Sequence, residues 1–562
     1  MKKHIFLLIL VSFSHLLWAQ TQCRTQEQKP LQILKAELNR SMKTLRKQKP
    51  PIYYVAYTFN DWNYTGIEVH ENGVAQQIQR AHAVLQVQAR AGSPQLDNTR
   101  TLKTDHTYYV LETAPMPAID GDAKAFTTAV WRLTQKAAET AQQDYSRVQA
   151  DAQTGSKRLD DSPDFVFPPK ENFCEERPPL VFNLDRIKGM LLEASNEVRH
   201  KPFVLNSSFS FQVRSGSRYF IDSVGTQLKT PVQQARLMYV LEGQTEDGAK
   251  LSRSGYYDVL KEDALPTVSE LKAAVEQSAL ELENLLKAPE AEPVTVPAIL
   301  KNKAMAVFVH EVLGHRVEGH RQKEDSFGKT FTDKMGQEIV SALLTIVDDA
   351  TLAEFEGQPL RGFYQYDDEG VKAQPVTLVE KGILKGFLMN SSPIKGFGRS
   401  NGHGRGEEGK RPISRMGNTR VIAQDTVSYA QLEQKLLEEI KRQQKPYGFI
   451  IEDLSGGFTM NQTNFPQTFK LTPTLVYRMY PDGHKEVVRG ADVVGTPLAS
   501  FHEVIAAADD YAVFNGSCGS QSGWVPVSGI APSVLLRRLE IEKTGKSSTQ
   551  PPLLPPPFGE KK

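Results

Sequence analysis

Hydrophobic positions along the chain follow two rhythms. In residues 31–46, Leu31, Leu34, Leu38, Met42 and Leu45 recur every three or four residues with basic and polar residues between them, which predicts an amphipathic helix. Residues 122–148, 185–200, 271–287 and 430–444 also read as helices. Elsewhere the rhythm shortens. Residues 53–58, 84–87, 207–213, 218–223 and 237–241 are strand-like, with β-branched and aromatic residues on alternate positions. Beyond residue 297 the chain is strand-rich, with turn signals at Gly456-Gly457 and Asp482-Gly483. Helices and strands are mixed throughout, so the expected class is α+β with largely antiparallel sheets. No internal repeat is visible.

Proline marks the divisions. Residues 160–179, with Pro163, Pro168, Pro169, Pro178 and Pro179 beside Asp161 and Asp164, cannot be regular over their length and are expected to form an exposed arm. Residues 289–297 carry three prolines directly after a predicted helix. A domain boundary is expected there, separating an N-terminal α+β domain (20–288) from a C-terminal domain (289–542). The proline-rich tail, 543–562, is expected to be disordered. At the other end, Lys2 and Lys3 precede an apolar run from 5 to 18 and then Ala19, the pattern of a cleaved secretory signal over residues 1–19. The run falls short of the roughly 20 residues a helix needs to cross a bilayer. The expectation is an exported protein, periplasmic or secreted, with no stable membrane span.

Composition narrows the function. A chain of 562 residues with 40% hydrophobic positions can bury two or three cores. With 67 basic against 66 acidic residues there is no excess of positive charge to draw it onto phosphates, so nucleic acid is not an expected partner. The three cysteines cannot all pair. In an oxidising compartment Cys23 and Cys174 are the expected disulfide and Cys518 the odd thiol, whose retention calls for burial or metal ligation.

The strongest chemical signal is His310-Glu311-Val312-Leu313-Gly314-His315, inside the helical-looking stretch 299–318. Imidazoles four apart on a helix share a face and can share a zinc ion, with the intervening Glu acting on its water. Here the spacing is five, which turns a regular α-helix by about 140°. Either the histidines do not share a metal or the helix is distorted. A π-bulge at Gly314 would restore a common face. The apolar approach, Ala304 to Val309, implies a buried helix. Cys518 then offers a third ligand, leaving the fourth position open, as in catalytic zinc sites.

The run HEVLGHRVEG, residues 310–319, closely resembles the signature of the TldD/PmbA metallopeptidases. The likeness continues through Asp367-Asp368-Glu369-Gly370, residues 380–386, Arg415-Met416-Gly417-Asn418-Thr419, residues 453–457, Gly490-Ala491 and Cys518-Gly519. The resemblance implies a two-domain α+β fold and a zinc-dependent peptidase cutting small or unfolded peptides. It implies His310, His315 and Cys518 as ligands, Glu311 as the base, and a dimer, either of identical chains or with a paralogue. The departures are His320 where an acidic residue is expected, Ser520 where a lysine is expected, and the signal sequence. His320 is an alternative third ligand, ranked behind Cys518.

Other candidates are weaker. The glycine-dense loop 402–406 lacks a P-loop's spacing and suits a flexible substrate-contacting loop. Within and near it, His403, Arg405 and Asn418 are candidate substrate-binding residues. Glu318 is a candidate partner for a ligand imidazole. Asp367, Asp368 and Glu369 are expected to face water. Residues 523–529 are strand-like and would let a peptide add as an extended strand. The competing reading is a catalytically inactive, zinc-stabilised scaffold or partner subunit, against which the intact Glu311 argues.

Overall fold

A computed structural model describes residues 29–70, 73, 75–100, 110–117, 121–153, 160–323, 330–460 and 467–544. The expected signal peptide, Cys23 and the bulk of the expected disordered tail lie outside the described residues.

The N-terminal half is built on one long antiparallel sheet. Its main strands are β1 (Ile52–His70), β2 (Ala75–Ser93), β3 (Asn206–Asp222), β4 (Gln227–Gln244) and β5 (Lys250–Asp258), with β2, β1, β3 and β4 adjacent in that order and β5 on β4. Side chains alternate along these strands, and the odd-numbered residues of β1 and β3 share one face. At one end Val55, Tyr57, Phe59, Tyr219 and Ile221 pack under helices α1 (Lys29–Leu45) and α2 (Ala123–Gln153). At the other end Ile67, Val69, Phe209, Phe211 and Val213 pack under α3 (Leu184–Arg199) and α4 (Val268–Lys287). Thr267 and Glu270 close α4 with a capping box. All four helices therefore cover one face, at the positions their apolar spacing predicts.

The even-numbered face meets other chain segments. Tyr54, Ala56 and Phe220 pack against Phe165 and Tyr366. This corrects the expectation of an exposed arm at 160–179. Asp164 and Phe165 are buried, Arg90 lies 4.0 Å over the Phe165 ring, and Asn172–Cys174 adds to β4 as a short parallel strand. Proline-rich chain excludes helix without implying exposure, because a neighbouring sheet can supply the partners it lacks. Cys174 is disulfide-bonded, and Cys518 is free.

Beyond residue 289 two further sheets form. One runs Ile383–Leu384, Pro375–Glu380, β7 (Leu344–Asp349), β8 (Asn418–Ala423), β12 (Gly523–Ala531), β11 (Ala512–Ser520), so β11 is its edge. The other contains β6 (Val294–Leu300), β9 (Gly448–Met460), β10 (Thr468–Met479), Ala491–Gly495 and β13 (Val534–Lys543). Because β9 pairs with both β6 and β10, this sheet closes on itself. Helix α5 (Asn302–Val312) is wedged between the two sheets, touching β9, β11 and β12. That position explains why Ala304 to Val309 are all buried: a helix covered on every side has no polar face. Helix α6 (Tyr429–Arg442) packs Leu432, Leu436 and Ile440 on the outside of the closed sheet.

The stretch 299–318 is not one helix. Ile299 and Leu300 end strand β6, which has β9 on one side and β13 on the other, and a strand buried on both faces reads as a continuous apolar run. Among the described residues no helix is long and apolar enough to cross a membrane.

Candidate metal centre

Helix α5 carries His310 on its last turn and stops at Val312; a 3-10 turn, Gly314–Arg316, follows and carries His315. The five-residue spacing is thus accommodated by ending the helix, and the π-bulge is not formed. Gly314 makes the ending possible, since a Cβ there would lie 2.0 Å from the Met416 sulfur. The two imidazole rings meet edge to face with centroids 5.0 Å apart.

Strand β11 brings the third group. Cys518, opposite Val525 of β12, points its Sγ at His310 Nε2 (3.0 Å) and His315 Nε2 (3.4 Å). The three ligand atoms lie within 4.8 Å of one another, and these are the only three such groups among the described residues that converge in this way. Nitrogen and sulfur bound to one tetrahedral zinc, at about 2.0 and 2.3 Å, stand roughly 3.5 Å apart, so the spacing suits the ion. The donor set suits it as well, two imidazoles and a thiol being preferred by Zn²⁺ over harder cations.

Electrostatics prepare the same chemistry. Burial penalises charge on every member, yet mutual attraction wins. The Cys518 thiol is held well below its usual range, burial being outweighed by His315, His310 and the Arg415 guanidinium. His315 is pushed up to about 10, against burial, by Cys518 and then Glu318. His310 is also raised, again against burial, by Cys518. Without a metal the thiolate is thus balanced by the imidazolium rings, and a bound zinc ion would take the place of their Nε2 protons.

Glu318 organises the surroundings. Its carboxylate takes His315 Nδ1 at 3.2 Å and Arg321 Nε at 2.7 Å, and Arg415 Nε stands 3.4 Å away. Both arginines then grip the β11–β12 hairpin. Arg321 donates to Ser520 Oγ (2.9 Å), and Arg415 donates to the Cys518 carbonyl (2.5 Å), Ser522 Oγ (2.9 Å) and the Gly523 carbonyl (3.0 Å). One buried carboxylate thus links the histidine segment to the cysteine hairpin. The three cationic partners, opposed by burial, lower the Glu318 pKa far below the ordinary carboxylate range. Glu311 lies beside the centre, Oε2 3.9 Å from His315 Nε2, with Gly457 of β9 leaving room for its side chain. His320 is buried but outside the converging group, with burial, then the Arg321 charge, pushing its pKa well down.

Several sequence expectations need correction. His403, Arg405 and Asn418 are buried and offer no open face to a substrate. His403 Nε2 lies 3.2 Å from Asp348, Arg405 donates to the Met416 carbonyl, and Asn418 donates to the carbonyls of Asp349 and Leu352. They tie together the segments that carry Asp348, Leu352 and Met416. The loop 402–406 is a short paired strand, Gly404–Arg405 against Ile413–Ser414, because its glycines permit close backbone approach. Asp367 and Glu369 are buried, not facing water, and Asp368 pairs with Arg218. Asp367 accepts three backbone N–H groups, from Glu369, Val371 and Gly404, yet burial and then the neighbouring Glu369 outweigh them and push its pKa up. Arg321 and Arg415 were not singled out by the sequence. Arg415 stands in the block Arg415-Met416-Gly417-Asn418-Thr419, which hinted at it; nothing marked Arg321.

Residues 293–543 match the sequence profile of the PmbA/TldA metallopeptidase C-terminal domain. Its C-terminal region is therefore similar to the TldD/PmbA metallopeptidases. Among relatives, a metalloprotease of Archaeoglobus fulgidus is 29% identical over 320 residues, covering 56% of this chain and 68% of its own. A zinc metalloprotease TldD homolog of Saccharolobus solfataricus is 25% identical over 260 residues, 46% of this chain and 54% of its own. In three dimensions, TldE of Thermococcus kodakarensis superposes with a TM-score of 0.59 at 14% identity, over 91% of this chain and 100% of that one. The TldD/PmbA α+β fold, expected from sequence, is the fold observed.

Proposed function

We propose that this protein is a zinc-dependent peptidase acting on small or unfolded peptides. The observation that carries the reading is the convergence of His310, His315 and Cys518 with Glu311 beside them. A zinc ion held by the three residues would polarise the scissile carbonyl and make an attacking water acidic. The Glu311 carboxylate takes the proton as the water oxygen bonds to the carbonyl carbon. It then gives that proton to the departing amine as the C–N bond breaks. Glu318 fixes the tautomer of His315 by accepting from Nδ1, so that Nε2 presents its lone pair to the centre.

The edge position of β11 supports an extended substrate. Ser517 and Gly519 are exposed beside Cys518, and main-chain pairing there gives affinity with little side-chain selection. Most of a folded protein's backbone is already paired, so unfolded chains and short peptides are the substrate class. Export is part of the proposal, supported by the N-terminal signal pattern and by the disulfide at Cys174, a bond that an oxidising compartment sustains.

The test is Glu311→Gln. Hydrolysis of an unstructured peptide should fall by at least about a hundredfold, while elemental analysis still finds the same zinc content as in wild type. Retained turnover in the substituted protein would remove Glu311 from the mechanism.

A further inference from the structure

Strand β11 ends its open edge in a cluster of cations. The β11–β12 hairpin turns through two residues with Ser520 opposite Gly523, so backbone groups alternate between facing β12 and facing outward. Asn515, Ser517 and Gly519 face outward. At Asn515 this edge is closed: its N–H donates to Tyr256 Oη (3.0 Å) and its carbonyl accepts from Arg236 Nη2 (2.9 Å). At Ser517 and Gly519 no side chain or backbone group among the described residues occupies those positions. A peptide strand laid on this edge therefore runs past Cys518 and stops at Asn515.

The stopping point is positively charged. Arg236 lies 4.4 Å over the Tyr256 ring, and the Lys303 ammonium is 5.6 Å from the same ring centre. Two acids are near: Asp258, whose oxygens are both taken by Arg236 at 2.8 and 2.6 Å and whose charge only partly offsets the cations around Arg361, and Asp453, which is paired with Arg253. Arg361 is attached to the same point through its backbone N–H, which donates to Asn515 Oδ1 at 3.2 Å. Its half-buried guanidinium makes no hydrogen bond or ion pair among the described residues. Burial, and next the like charge of Arg236, bring its pKa down to about 10. A half-buried arginine crowded by another cation is destabilising until an anion arrives.

We propose that Arg361 receives the C-terminal carboxylate of the substrate peptide. The inference rests on reading the Cys518 centre as that of a peptidase, and it gives the bound peptide a direction. A strand antiparallel to β11 brings its C-terminus toward Asn515, whereas a parallel one would bring its ammonium against Arg361 and Arg236. Three residues separate Cys518 from Asn515, roughly 10 Å of extended chain at about 3.3 Å per residue. The bond facing the centre then lies about three residues from the C-terminus, and short C-terminal fragments are released.

The experiment compares one unstructured peptide as free acid and as C-terminal amide. Binding is measured by fluorescence anisotropy to the Glu311→Gln protein, and KM by hydrolysis in wild type. The acid should bind at least about tenfold more tightly than the amide, as expected for a charge-assisted hydrogen bond. Arg361→Met should bring that ratio close to one, and Arg361→Lys should restore part of it. Loss of repulsion means that Arg361→Met should not lower Tm, so misfolding is not expected to confuse the result. Equal binding of acid and amide in the unsubstituted background, or a ratio unmoved by Arg361→Met, would overturn the proposal. Acid preference in binding without any wild-type hydrolysis would leave the carboxylate site standing and remove the peptidase reading.

Discussion

Asp348 holds the chain next to the centre without touching it, since it binds Gly417, the residue after the Met416 that packs against Gly314. Its carboxylate is fully buried, takes His403 Nε2 at 3.2 Å, the Gly417 N–H at 2.9 Å and Thr419 Oγ1 at 2.7 Å, and is held below the usual carboxylate pKa by those bonds in opposition to burial. A folded pKa below the unfolded one means that the group's stabilisation is complete above the unfolded value, near 4. It is lost as pH falls from there through the folded value. Asp348→Asn should therefore lower stability at pH 7 by about 2–4 kcal/mol, and the acid limb of its stability curve should be shallower than wild type. Urea unfolding at pH 7 and between pH 4 and 2 checks both, and parallel curves across the acid range would remove Asp348 as a source of the acid sensitivity. Residues of this kind explain what sequence could and could not reveal. The convergence of His310, His315 and Cys518 was legible because a His-Glu pair in an apolar stretch, an odd thiol and the resemblance to the TldD/PmbA signature all pointed to the same residues. Asp348, Arg321, Arg415 and Arg361 were not. A charged residue reads as surface until its partners are known, and theirs lie 55 residues or more away in several of the contacts that define them.

At the scale of elements, periodicity located α1 to α4 and α6 within a few residues, since each buries a stripe on a sheet and keeps a polar face in water. It failed at 299–318, where the chain is covered on all sides and strand β6, helix α5 and the following 3-10 turn share one unbroken apolar pattern. The break at Gly314 is what brings the histidines together, and it depends on contact with buried Met416. Gly314→Ala should cost about 1–3 kcal/mol through overpacking and weaken zinc binding by displacing His315. Adding Met416→Ala frees the space, so the double variant should recover most of the zinc affinity despite carrying a second core substitution. Competition with a chromogenic chelator measures this. Additive losses in the double variant would mean that the glycine serves the turn by its backbone freedom, and not by its lack of a side chain.

For the whole molecule, the main question is whether the two halves can unfold separately. The even-numbered face of the N-terminal sheet contributes Arg218 to Asp368, and Arg236 and Tyr256 to Asn515, so the expected substrate edge is assembled from both halves. A second junction lies at Arg253 of β5. Its guanidinium donates to Glu281 of α4 (2.8 Å), to Asp453 of β9 (3.0 Å) and to Thr474 of β10 (3.1 Å), while its side chain stays buried. Junctions of this density make either half unstable alone, because each would expose apolar surface and leave buried ions unpaired. Calorimetry should therefore show one cooperative transition for the metal-loaded protein. Arg253→Met keeps the volume and removes the three links; it should cost about 1–3 kcal/mol, since Glu281 and Asp453 remain partly in water. The single transition should move down by a few degrees, with zinc stoichiometry unchanged because the centre is untouched. Two resolved transitions in either protein, with only one displaced by Arg253→Met, would show instead that the halves fold independently and that the substrate edge forms by docking.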